Sequence, residues 1–336
     1  MTTFDREAAF SLNLVNPDSN AQDVIYCMAS LNGSCICFLE NSISRVRPAE
    51  AVDPDNKEPQ TRHSYQFMYS IGSRNPVVAR TILQARSILE SVILRDGLSN
   101  QVILDHAWDC AQHLMSCENS YRSIYSDTME LMYKCYEIIN KGKVGSYIPS
   151  LPQVKDLDQR VVTFLGNGKR FIEKTHELLC LFYGATHQDS NFEAYRDWMT
   201  KHASSRNSVI DLLAQNRDWI KLLAWYRNAL DINHSKPGFV VTIYNFTLHA
   251  GNTFSNPCWQ YDFQGKKGGD TQNGPSDLIA DMNTFLKNML AFFEALFLSC
   301  IEDNWDGRYN FAIYRHREER INKRCPIMYF VSLKHT

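Results

Sequence analysis

The sequence predicts a mainly α protein: a helical bundle with an N-terminal helical region and two small β-hairpins near the C-terminus. Three observations lead there. Apolar residues recur at helical spacing through most of the chain, as at Val78, Ile82, Ile88 and Val92. Two stretches, 239–263 and 309–333, change to β-branched and aromatic alternation. The proline- and serine-bearing stretch Gly145 to Pro152 separates an N-terminal region, 1–144, from a helical domain over 153–336 that carries both hairpins as insertions.

Ala21 to Leu39 is largely apolar and reads as one long helix, or two short pieces broken at Asn32-Gly33-Ser34. Arg45 to Gln60 is polar and contains prolines, which suits an exposed loop. Val77 to Leu94 is an amphipathic helix followed by Gly97. Gln101 to Ser116 and Tyr121 to Asn140 follow as two further helices. Asp156 to Tyr183 is long and periodic, with Gly166-Asn167-Gly168 as the place for a kink. Phe192 to His202 is a short aromatic helix and Asn207 to Asn233 the central one. Phe239 to Leu248 and Trp259 to Phe263 read as strands, and Gly265 to Pro275 as a mobile loop. Ser276 is placed to cap the apolar helix Asp277 to Glu302. Tyr309 to Tyr314 and Ile327 to Leu333 then flank the charged turn Arg315 to Arg324.

Composition excludes several classes. The chain has 336 residues, 44% of them hydrophobic, which is enough for one large core or two smaller ones. Thirty-five Lys and Arg against 37 Asp and Glu leave no global field for a polyanion, so a nucleic-acid site has to be a local patch. Of ten cysteines only Cys35 and Cys37 are close in sequence, and no zinc spacing occurs. This pattern predicts reduced thiols in a cytoplasmic protein, with no metal and no cofactor. The N-terminus lacks a signal pattern, and the most apolar run, Met289 to Ile301, contains Glu294 and is too short to span a bilayer. No membrane partner is expected.

The stretch most suggestive of chemistry is Trp225-Tyr-Arg-Asn-Ala-Leu-Asp-Ile-Asn-His-Ser-Lys-Pro-Gly238. On a helix, positions seven apart fall about 20° apart, so Arg227 and His234 share a face, with Asp231 between them. Followed backward in sevens, that line passes through Ile220 and Leu213, with Leu223 and Ala224 beside it. A charged residue and a histidine continuing an apolar stripe point toward a core or an interface, where charge must be paired or used. Lys236-Pro237-Gly238 ends the helix and leaves His234 in its last turn, where the dipole favours the imidazolium.

Arg227-Asn228-x5-His234, near a helix end and followed by an apolar helix, resembles the Arg-polar-x(n)-His motif of the HEPN superfamily. The resemblance covers Ala185 to roughly Asp303, about a third of the chain, and leaves the N-terminal region without a match. It implies a helical bundle, a homodimer, and metal-independent cleavage of RNA by Arg and His of both subunits. Carried over, Arg227 and His234 are the catalytic pair, Asn228 positions them, and Asp231 is an orienting partner. It also implies a toxin or defence effector held in check by a regulatory or antitoxin protein.

The residue types suit the reaction. Cleavage by the RNA's own 2′-OH needs a base, an acid and a cation for the developing charge. Histidine serves either proton role, and arginine binds phosphate oxygens bidentately. One histidine fills one role, so a second subunit's histidine, Asp231 or Tyr226 must fill the other.

Other assignments stand beside this one. Arg227, Asp231 and His234 also suit a buried structural network, which would make the chain a non-enzymatic interaction scaffold. Two further Arg–His spacings occur, Arg170 to His176 and Arg196-Asp197 to His202, each six apart and so about 120° apart on a helix. Finally, Arg315, Arg317, Arg320, Lys323 and Arg324, with Tyr309 and Tyr314, form the one dense basic run with aromatics. That run suits RNA binding, although Glu318 and Glu319 dilute it. Gly166-Asn167-Gly168-Lys169 lacks the strand-to-helix setting of a phosphate cradle.

Overall fold

A computed structural model describes residues 23–142, 150–184, 192–202, 207–230, 239–264 and 270–334. The chain divides into two compact units, one of residues 1–111, 181–184 and 297–336, the other of residues 112–180 and 185–296. The expected bundle with two small hairpins is overturned. The described residues are 55% helical, but they also form 11 strands in four antiparallel sheets.

The first unit opens with the largest correction. Where a helix was expected, β1 (Ile25–Leu31), β2 (Ser34–Leu39), β3 (Ile43–Arg47) and β4 (Ser64–Tyr69) form a four-stranded sheet in that order. Leu31 pairs with Ser34, so Asn32 and Gly33 are a two-residue turn, with φ of 47° and 69°. Positive φ at both positions is what such a hairpin requires, and Asn-Gly supplies it. β2 has neighbours on both sides, and Ile36 to Leu39 are all buried. A strand buried on both faces reads as a continuous apolar run, and periodicity alone does not separate it from a buried helix.

The sheet's odd face gathers Cys37, Leu39 and Val46. On the even face, Phe38 meets Trp108 edge-on at 5.8 Å. Asn32 ties the turn to the first long helix, its amide and side chain donating to Asp105 and Asp109, both at 2.8 Å. The loop expected at 45–60 instead contributes Arg45 to Arg47 to β3 and a short helix α1 (Ala49–Val52).

Asn75 then caps α2 (Pro76–Val78), which passes through a π-helical turn (Ala79–Leu83) into α3 (Gln84–Leu89). The two helices expected at 101–140 are one, α4 (Asn100–Gly142), whose residues are divided between the units. In its polar middle the Ser116 and Ser120 hydroxyls donate to the Gln112 and Ser116 carbonyls one turn back. The unit ends with β10 (Phe311–Arg315) and β11 (Tyr329–Leu333), the expected C-terminal hairpin.

α5 (Leu157–Tyr183), in the second unit as far as Cys180, is one continuous helix through Gly166 and Gly168. After α6 (Phe192–His202), the expected central helix is two, α7 (Asn207–Gln215) and α8 (Arg217–Leu230). Asn216 separates them; its side chain bonds back to the Leu212 carbonyl and accepts from the Trp219 indole. β5 (Phe239–Tyr244), β8 (Cys258–Gln264) and β9 (Asp270–Asp277) form a three-stranded sheet in that order, and β6 (Thr247–His249) pairs with β7 (Thr253–Ser255). Part of the expected mobile loop is therefore the edge strand β9, where Pro275 costs no ladder bond.

The last helix, α9 (Leu278–Asn304), is capped by Asp277, which accepts from the Ala280 amide, rather than by Ser276. Ser276 instead donates to Asp281. With 27 residues, of which an 18-residue window has a mean hydropathy of 1.5, α9 is longer than the apolar run suggested and is long and apolar enough to cross a bilayer by length and composition. Within the second unit it buries Met282, Met289, Phe292, Phe293 and Leu296.

Candidate functional site

Arg227 and Asn228 lie in the last turn of α8, while Asp231 and His234 fall outside the described residues. The buried stripe of α8 consists of Leu223 and Tyr226, at 0% and 2% exposure, not the line through Ile220 and Arg227. The break at Asn216 interrupts the count in sevens from Leu213, and Ile220 and Arg227 come out half-buried on the flank of the stripe.

Leu223 packs over Gly168 of α5, where a side chain would meet its methyls at 3.0 Å. Tyr226 is enclosed by Trp259, Tyr261 and Phe285 at ring separations of 4.5, 5.4 and 6.2 Å. Burial first, then the nearby Asp281 carboxylate, pushes its phenol well above the usual range. At 2% exposure Tyr226 lies among these rings and is not part of the cleft that Arg227 lines.

Arg227 extends over the flank of α8 into a polar cleft of about 280 Å³. The opposite wall is one face of α5, made by Thr163, Gly166, Asn167, Lys169, Arg170 and Glu173. Arg227 Nη1 donates to Asn228 Oδ1 at 3.2 Å, so the polar neighbour steadies the guanidinium. Lys169 pairs with Glu173 at 3.6 Å, and Asn167 Nδ2 bonds back to the Thr163 carbonyl. Asn167 Oδ1 lies 3.3 Å from Nδ1 of His113 on α4. Three cations against one carboxylate give the cleft a positive balance, and a guanidinium beside an ammonium suits a phosphodiester.

Sequence reading passed over this α5 wall. Gly166 to Lys169 lacks the strand-to-helix setting of a phosphate cradle, and the structure presents those residues from a helix face. The usable signal was spacing: Thr163, Gly166, Asn167 and Arg170 recur three and four apart, as residues of one helix face do. Nothing in the sequence around His113 marks it as part of this site.

Of the rival pairs, Arg170 and His176 do not converge. His176 is buried among Phe192 and Tyr195 at 5.4 and 5.3 Å, whereas Arg170 of the same helix is exposed at the cleft. Arg196 pairs with its neighbour Asp197 at 3.0 Å, and the side chain of His202 lies outside the described residues. A second, mostly apolar cleft of about 180 Å³ runs beside Leu213, Ile220 and Ala224. At its rim Glu193 bridges Arg217 at 2.5 Å and Lys221 at 2.8 Å.

In the first unit the C-terminal basic turn divides into two roles. Arg324 pairs with Glu40 at 3.2 Å, and its carbonyl accepts from Ser73, so it serves the fold. Arg315, Arg317, Arg320 and Lys323 are exposed and have no ion pair among the described residues. Among the described residues, no three His, Cys, Asp or Glu side chains come together as a metal site.

Comparison with models of known protein families, with curated proteins and with solved structures gives no match to this chain.

Proposed function

We propose that the chain is a metal-independent endoribonuclease of HEPN type, with Arg227 at its centre. The observation that supports this reading is the cleft in which Arg227 of α8 meets Lys169 and Arg170 of α5, with Asn228 holding the guanidinium. RNA cleavage through the 2′-OH builds negative charge on the phosphate oxygens, and fixed cations stabilise it most where they need not reorganise. Arg227 supplies the bidentate clamp, Lys169 and Arg170 add charge along the strand, and His234, four residues past the end of α8, transfers the proton. The second proton role falls to a partner subunit's histidine in a homodimer, or to Asp231. A toxin or defence role under a regulatory or antitoxin partner belongs to the same reading and rests on the motif alone.

The test is digestion of total RNA in EDTA by the wild type, Arg227→Ala, Arg227→Lys and His234→Ala, with folding checked by circular dichroism. Cleavage by the wild type is expected to fall by about two orders of magnitude or more in each folded variant. Arg227→Lys is included because a lysine keeps the charge and loses the fork. Undiminished cleavage in the variants, or none by a wild-type dimer, makes the cleft an ordinary ion-pair surface and the chain an interaction scaffold.

A further inference from the structure

The exposed face of the β10–β11 hairpin pairs two aromatic rings beside the basic turn. Tyr314 and Phe330 sit directly opposite each other in the ladder, stacked at 5.7 Å with 29° between the rings, and are 39% and 37% exposed. His316 continues the row, 4.6 Å from Phe330. The outer faces of the Tyr314 and Phe330 rings are open to water, as a platform on which bases stack requires.

The turn begins one rung further on, past the last pair, Arg315 and Tyr329. Its backbone is fixed from the other side. Gln84 Oε1 accepts from the Met328 and Tyr329 amides at 2.9 and 3.1 Å, Ser73 donates to the Arg324 carbonyl at 2.7 Å, and Cys325 is buried. With Arg324 committed to Glu40, the cations left outward are Arg315, Arg317, Arg320 and Lys323, against Glu318 and Glu319.

We infer that this hairpin is a docking surface for single-stranded RNA, with bases stacking on Tyr314, His316 and Phe330 and the backbone running over Arg317, Arg320 and Lys323. The chemistry favours a single strand over a duplex because paired bases have no free face to offer. It favours nucleic acid over an acidic peptide because a peptide would use the cations and leave the stacked pair open. The inference rests on the ribonuclease reading only for the choice of RNA over DNA, since neither stacking nor phosphate contact distinguishes the sugar.

The experiment is fluorescence anisotropy with a labelled 2′-O-methyl single-stranded oligonucleotide, which a 2′-OH mechanism leaves uncut. Duplex RNA and single-stranded DNA are run alongside. Tyr314→Leu/Phe330→Leu keeps apolar packing while removing the rings and is expected to lose about tenfold or more in affinity. Arg317→Gln/Arg320→Gln is expected to lower the slope of log affinity against log salt by roughly one to two. No binding by the wild type, unchanged binding in the folded Tyr314→Leu/Phe330→Leu protein, or a duplex bound as tightly as the single strand overturns the inference. Because the probe is uncleavable, failure here leaves the digestion result standing, and a chain that binds without cutting fails only the ribonuclease reading.

Discussion

Leu223 of α8 lies against Gly168 of α5, its Cδ1 3.0 Å from where a β-carbon at position 168 would stand. Gly168 falls between Asn167 and Lys169, and Leu223 lies one turn before Arg227, so the contact that seats the two helices also sets the width of the cationic cleft. Gly166, two residues earlier, has nothing within 4 Å of its missing β-carbon.

The two glycines should therefore answer differently to the same change. At position 166 an alanine gains helix propensity of about 0.5–1 kcal/mol with nothing to displace. At position 168 that gain is offset by the shift demanded of Leu223, and Gly168→Ala should be near neutral. Gly168→Leu should cost about 1–3 kcal/mol as an overpacked contact, whereas Gly166→Leu should not. Urea unfolding of the four variants checks this, and equal stability of the two leucine variants would show that the helices do not meet at Gly168.

Glu193 carries a pH dependence. Its carboxyl is held below the usual range, first by its hydrogen bond to Lys221 and then by that to Arg217. A folded value below the unfolded one means the contribution is present above the unfolded carboxylate value of about 4.3 and lost as pH falls through the folded value. The three side chains are 33–48% exposed, so screening limits the effect to about 1 kcal/mol or less. Thermal unfolding of Glu193→Gln should show a lower Tm than wild type at pH 7, with the difference shrinking as pH falls below the unfolded carboxylate value of about 4.3, and shrinking also in 1 M salt, where screening is strong. A difference that persists in acid would assign it to packing.

Glu40 is the more deeply placed carboxylate. Its side chain is 10% exposed and faces Arg74 at 3.4 Å and Arg324 at 3.2 Å, both arginines being largely exposed. Losing one arginine leaves the other, so Arg74→Ala and Arg324→Ala should each cost about 1 kcal/mol or less. Losing both strands a mostly buried charge and should cost about 3 kcal/mol, more than the two single effects together. Adding Glu40→Gln to the double variant should restore part of it. Additive single effects in denaturant titrations would mean that Glu40 reaches water.

Much of the helical frame was legible. α5 and α6 run where apolar periodicity placed them, and the hairpin at 309–333 followed from two β-branched, aromatic runs around a charged turn. Of the candidate site, sequence supplied Arg227 and Asn228 on a helix end. The N-terminal sheet was misread because β2, covered on both faces, shows no alternation. The Asn32-Gly33 pair that marks its turn is the same signal that interrupts a helix.

By itself the sequence determined what depends on near neighbours: which residues sit three or four apart on a helix, where a positive φ is affordable, and that any polyanion site must be local in a chain of nearly balanced charge. Tertiary structure alone decided which faces meet. It broke the central helix at Asn216, turned Leu223 and Tyr226 inward, and left Arg227 on the flank facing Lys169 and Arg170. It committed Arg324 to Glu40 and left its basic neighbours outward. The physical reason is that a side chain's environment depends on residues 50 to 300 positions away, through close packing and charge pairing that local spacing does not encode.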